Sequence, residues 1–157
     1  MKSNKTIEME KALYGYSRTD GVGVYGCFEV SLGDGYGKER VDFMTMDSKD
    51  EFRCYEIKSS EEDFVSDAKL SFVGDFNYLL IPSALKRKIE GSEKYKNLYL
   101  HGVGLLLYQD NGNIVVDRKA KKHSLSLNKR VELMHDMIRS LSRYCKCEFK
   151  RVIDTDE

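Results

Sequence analysis

The sequence predicts an α/β domain: one mixed sheet with an antiparallel three-strand meander, a parallel crossover strand, and helices on both faces. Three observations predict it. Strand-like runs at Val22–Leu32, Lys38–Met46 and Glu51–Ser59 follow one another through short turn clusters, which is how a meander is built. The apolar run Leu79-Leu80-Ile81 comes directly after a helical segment. A strand reached through a helix pairs in parallel by a right-handed crossover, and continuous apolarity suits a strand covered on both faces. Helical apolar spacing opens and closes the chain.

Each element has a local reason. Lys5–Ser17 reads as the first helix, with Asn4 as its N-cap and Ile7, Ala12, Leu13 and Tyr16 along one side. Thr19-Asp20-Gly21 stops it. In the first strand Val24, Phe28 and Val30 share a side, and Gly33-Asp34-Gly35 is a turn. Ser60 followed by Asp63 forms a capping box that opens a helix over Glu61–Leu70. The fourth strand is Asp75–Pro82, ended by the single proline. Ser83–Glu90 reads as a short helix, and the polar Gly91–Lys96 as a loop. Gly102–Gln109 and Ile114–Arg118 flank Asp110-Asn111-Gly112-Asn113, a strong hairpin turn. Ser126 or Asn128 caps the last helix, Lys129–Tyr144, whose core stripe reads as Val131, Met134, Ile138 and Leu141.

A chain of 157 residues suits one domain with a real core. Residues 1–150 read as that domain and 151–157 as a frayed tail. Twenty-six Lys and Arg balance 26 Asp and Glu, so the chain is not a strongly basic nucleic-acid binder overall, though a local patch remains open. Cys27 and Cys54 fall in strands and read as reduced core thiols. Cys145-x-Cys147 lacks the second pair that a zinc site needs. The N-terminal residues are polar rather than leader-like, and the longest apolar run is too short to span a bilayer. These readings predict a soluble, intracellular, cytoplasmic protein with no membrane partner. His101, His123 and His135 form no ligand set. The Gly21-Val22-Gly23 and Gly33-Asp34-Gly35 clusters lie between strands and not before a helix, so they read as turns.

The chemistry concentrates at the end of the third strand. Side chains two apart share a face, so Glu56 and Lys58 point one way and Ile57 the other. Buried charges need partners, and a hairpin with the preceding strand brings Asp42 beside Glu56. Two carboxylates and a lysine at one sheet edge suit a hard divalent cation working on phosphate.

These residues, Arg40-Val41-Asp42, then Glu56-Ile57-Lys58-Ser59-Ser60, Asp63-Phe64 and Asp67-Ala68-Lys69, with the later Gly102-Val103-Gly104-Leu105-Leu106 run, resemble the PD-(D/E)xK nuclease superfamily. Within it the pattern is most similar to the MmcB-like DNA-repair group and its phage relatives. No proline precedes Asp42. The resemblance spans roughly Glu8–Lys122. It implies a restriction-endonuclease-like fold and a Mg²⁺- or Mn²⁺-dependent deoxyribonuclease of DNA repair, recombination or phage DNA processing. Asp42, Glu56 and Lys58 would be catalytic. Asp42, Glu56 and the Ile57 backbone carbonyl would ligate the metal, with Glu10 on the first helix a weaker ligand and Glu8 its alternative. DNA is the implied partner, with Lys69 a backbone contact. The basic run Arg118, Lys119, Lys121 and Lys122 is the best remaining phosphate-binding surface, with Tyr95, Tyr99 and Tyr108 as candidate stacking residues. A homodimer or a partner protein is possible. The alternative reading is a non-catalytic nucleic-acid or protein-binding module on the same fold.

Overall fold

The computed structural model describes residues 1–33, 39–66 and 69–154. In chain order the elements are α1 (Asn4–Tyr16), β1 (Val24–Ser31), β2 (Arg40–Asp47), β3 (Phe52–Ile57), α2 (Glu61–Val65), β4 (Phe76–Pro82), a single 3₁₀ turn (Ser83–Leu85), α3 (Lys86–Ile89), α4 (Glu93–Leu100), β5 (Gly104–Tyr108), β6 (Ile114–Arg118) and α5 (Leu127–Asp154). The strands lie in the order β1-β2-β3-β4-β5-β6. β1, β2 and β3 form the antiparallel meander, β3, β4 and β5 run parallel, and β6 returns antiparallel. The mixed α/β sheet expected from the sequence is present.

Apolar side chains cover both faces. On one, Met9 and Leu13 of α1 pack over Phe43, Tyr55, Ile57, Leu80 and Leu106. On the other, Leu133 and Met137 of α5 cover Cys27, Val41, Met44, Phe52 and Cys54. Phe64 of α2 and Leu85, Ile89 and Tyr95 beyond β4 cover Leu79, Ile81 and Leu105. Burial pushes the Cys27 thiol up to about 11 and that of Cys54 up to about 12, so both stay protonated inside the core.

Several sequence expectations shift. Ser3, not Asn4, caps α1. Gly91–Lys96 is not a loop, because Ser92 accepts from the Tyr95 N–H and starts α4. The helix after Ser60 ends at Val65, short of Leu70. Lys69 is therefore not a helical residue, and Asp67 lies outside the described residues. Phe28 and Val30 fall on opposite faces, Phe28 toward α1 and Val30 toward α5. Between them Glu29 has φ +53°, a left-handed conformation that breaks the two-residue alternation. The largest departure is α5. Its core face is Leu133, Asp136, Met137 and Ser140, while Val131, Ile138 and Leu141 are exposed and Met134 only partly buried. The helix also continues to Asp154 through residues expected to fray, and residues 155–157 lie outside the described set.

Gly104 has a packing role. A Cβ there would fall 2.5 Å from the Tyr78 ring and 2.6 Å from the Ala120 nitrogen, so only glycine lets β5 approach its neighbours this closely.

Candidate metal centre

The meander places Asp42 and Glu56 on adjacent antiparallel strands, with Phe43 opposite Tyr55. Asp42 Oδ2 accepts the Ile57 N–H at 2.8 Å, which pins its carboxylate against the end of β3. Glu56 is 3 % exposed, and one of its oxygens accepts the Ser71 N–H at 3.2 Å. Burial first, then the charge of Asp42 within hydrogen-bonding reach, push the Glu56 carboxyl up to about 9. The Ser71 N–H and the Lys58 ammonium pull the other way and do not prevail. The Ser71 hydroxyl is itself buried without a hydrogen-bond partner among the described residues. Glu56 is thus held in its neutral acid form by burial and by the charge of the adjoining Asp42.

Lys58 is 6 % exposed. Its backbone N–H donates to the Leu80 carbonyl at 3.0 Å, continuing the parallel ladder one residue past β3. Its ammonium lies 3.4 Å from Asp63 Oδ1. The other Asp63 oxygen accepts the Ser59 N–H at 3.3 Å, and the Ser60 hydroxyl accepts the Asp63 N–H at 3.1 Å. Asp63 therefore joins the capping of α2 to the orientation of Lys58, a double duty that capping alone did not suggest.

Asp42, Ile57, Lys58 and Asp63 line an open cleft of about 310 Å³ that also takes in Glu10 and Glu29. Lys2 crosses this cleft. Its ammonium lies 2.5 Å from Glu10 and 3.3 Å from Glu29. Glu10 thus faces the site from α1, while Glu8 is exposed and does not line the cleft. Glu29 and Lys2 were missed by sequence reasoning. The pairs Phe28–Phe43 and Val30–Val41 put Glu29 across from Asp42. An acid interrupting an apolar strand pattern is the signal that could have found it. Among the described residues no set of three or more His, Cys, Asp or Glu side chains is arranged to hold a metal ion. The candidate donors are the Asp42 and Glu56 oxygens, with the Ile57 carbonyl beside them.

The cationic candidates separate. Lys69 pairs with Glu39 at the entry to β2, the same end of the sheet as Asp42. Arg118–Lys122 lies at the other end. Arg118, the last residue of β6, pairs with Leu105 near the start of β5, the Lys121 N–H donates to Gly102 O, and the His123 N–H donates to Asp75 O. A strand of β4's seven residues is ~20 Å long, so this basic run does not border the carboxylates. Part of it is also engaged in structure. The Arg118 guanidinium donates to Val103 O at 3.0 Å and lies over Tyr95 and Tyr99. Lys122 pairs with Glu51 at 2.8 Å, while Lys119 and Lys121 are exposed. Tyr95 and Tyr108 are buried core residues, so neither offers a face to a base, and Tyr99 carries Arg118. Cys145 and Cys147 are two apart on α5 and point about 200° apart, so they do not share one ion.

No family model matches the chain. No curated protein matches it. Among solved structures, a protein of unknown function from Silicibacter pomeroyi is similar. It is 21 % identical with a TM-score of 0.69, covering 93 % of this chain and 92 % of its own. That likeness extends over nearly the whole chain and concerns the fold. No helix among the described residues is long and apolar enough to cross a membrane.

Proposed function

We propose that this chain is a Mg²⁺- or Mn²⁺-dependent deoxyribonuclease that hydrolyses phosphodiester bonds of DNA, in repair, recombination or phage DNA processing. One observation carries the reading: Glu56 is buried against Asp42 at the end of β3, with the ammonium of Lys58 close by. Carboxylate pairs pressed together in this way are poised to exchange a proton for a cation. Their oxygens suit a hard divalent ion, and the partnerless Ser71 hydroxyl beside Glu56 leaves a further buried polar atom for a hydrated ion. When bound, the metal lowers the pKa of its water and steadies charge on the phosphate.

The chain's own groups do the rest. Asp42 is fixed by the Ile57 N–H and Glu56 by the Ser71 N–H, so neither carboxylate needs reorganising. Lys58, oriented by Asp63, presents a positive charge to a phosphate oxygen in the cleft. Arg40 and Lys69 stand at the same sheet end, where contacts to the DNA backbone belong.

The second reading is a non-catalytic nucleic-acid or protein-binding module. The lack of a three-residue metal set among the described residues favours it. Incubation of plasmid and single-stranded DNA with Mn²⁺ separates the two. The nuclease reading expects cleavage by the native protein and its loss in both Glu56→Ala and Lys58→Ala. Equal cleavage by all three proteins removes these residues from any mechanism. DNA binding with no metal response supports the module.

A further inference from the structure

The last helix carries two apolar stripes, and the sheet uses one. Leu133, Met137 and Ser140 face the core. Val131, Ile138, Cys145 and Val152 recur every seven residues. At 100° per residue their row lies about 130° around the helix from the core face. Leu127 and Leu141 stand at the alternate positions of the same seam. Leu127, Val131, Ile138, Leu141, Phe149 and Val152 are between 39 and 76 % exposed. Every residue from 141 to 154 is exposed, and the distal half of α5 is held to the body lightly, through the Tyr144 hydroxyl donating to Phe28 O at 3.2 Å and the Arg143 guanidinium donating to the Ser31 hydroxyl at 3.0 Å. A helical segment of ~14 residues with so little apolar packing is marginal in water.

We propose that this seam pairs with the same seam on a second copy of this chain. Apolar residues every seven positions keep a straight edge toward a partner helix through a shallow left-handed supercoil. β-branched Val131, Ile138 and Val152 at one position and Leu127 and Leu141 at the other form a self-complementary surface. The six side chains leave roughly 700 Å² open per copy, near the ~800 Å² per partner of a stable pair. The one charged residue on the seam is Glu148, and it is already paired with Arg151 at 2.8 Å. The inference does not depend on the nuclease reading, since the seam and the carboxylates belong to different elements.

The test is the mass of the full chain at micromolar concentration by light scattering and sedimentation velocity. A dimer of twice 18.1 kDa is expected. Ile138→Glu and Val152→Glu each weaken the pair ~100-fold or more while leaving the far-ultraviolet spectrum of the sheet unchanged, because both positions are exposed. Amide exchange over residues 141–154 is slow in the native dimer and fast in Ile138→Glu. A native chain that is monomeric overturns the proposal, and its capture by anionic vesicles would assign the seam to a lipid surface. A dimer that survives both substitutions places the contact elsewhere.

Discussion

Replacing Glu56 by glutamine keeps the shape of the side chain and its acceptor for the Ser71 N–H but removes its proton equilibrium. In the folded protein the carboxyl titrates at about 9, against an ordinary 4.5. The group's acid form is the one the fold accommodates. Its contribution is therefore fully favourable below about 4.5, erodes as pH rises toward 9, and is flat above. Near neutral pH the unfolded chain gains by ionising Glu56 and the folded chain does not, a penalty on the order of 3 kcal/mol at 1.36 kcal/mol per unit. Glu56→Gln lifts that penalty. At about pH 7 its Tm should exceed that of the native protein by roughly 5–10 °C for a chain of this size. At acid pH the two should melt together. Melting curves by circular dichroism across that range check it. A variant less stable than the native protein at neutral and alkaline pH would refute the reasoning, because Glu56 would then be a favourably paired carboxylate. The same titration governs metal. A divalent ion must displace the Glu56 proton, so Mn²⁺ affinity should rise about tenfold per pH unit below the folded pKa, and this dependence should vanish in Glu56→Gln.

Three further outcomes follow from particular contacts. Ser71→Ala removes a buried hydroxyl with no partner and keeps the backbone N–H to Glu56. The urea midpoint should hold or rise, by up to ~1 kcal/mol, whereas a clear loss would mean the hydroxyl is bonded. Arg130 forks onto the fully buried Asp75 at 2.7 and 2.9 Å. Burial opposes the Asp75 charge, but Arg130 and the Phe52 N–H outweigh it and hold the carboxyl below its usual range. That stability is present above the ordinary carboxylate range and lost as pH falls through the folded pKa. Arg130→Ala should cost ~3–5 kcal/mol in denaturant unfolding at neutral pH, with the gap narrowing in acid. Lys2→Ala frees Glu10 and Glu29 of their shared ammonium, so calorimetry should find Mn²⁺ bound more tightly than by the native chain.

The sheet was legible because its signals are local. Turn clusters set the meander, the helix between β3 and β4 sets the parallel pairing, and Asp110–Asn113 sets the final hairpin. The convergence of Asp42 and Glu56 followed from that topology. What failed has a common cause: periodicity shows that a face is apolar, not what it meets. On α5 the more conspicuous stripe, Val131–Ile138–Leu141, is the one turned away from the sheet. Strict alternation also misplaced Glu29: the acid interrupting the apolar run is visible in the sequence, but the left-handed backbone that turns Phe28 and Val30 to opposite faces is not. The basic run Arg118–Lys122 was visible as charge, but its distance from the carboxylates depends on the direction of β5, which charge does not report.

The central claim is that Asp42 and Glu56 form one cation site. Calorimetric titration of Mn²⁺ into the native protein and into Asp42→Asn at mildly alkaline pH tests it most directly. The account predicts one saturable site in the native protein that is lost in Asp42→Asn while both proteins remain folded. Equal Mn²⁺ binding by the two, or none by the native chain, would contradict it.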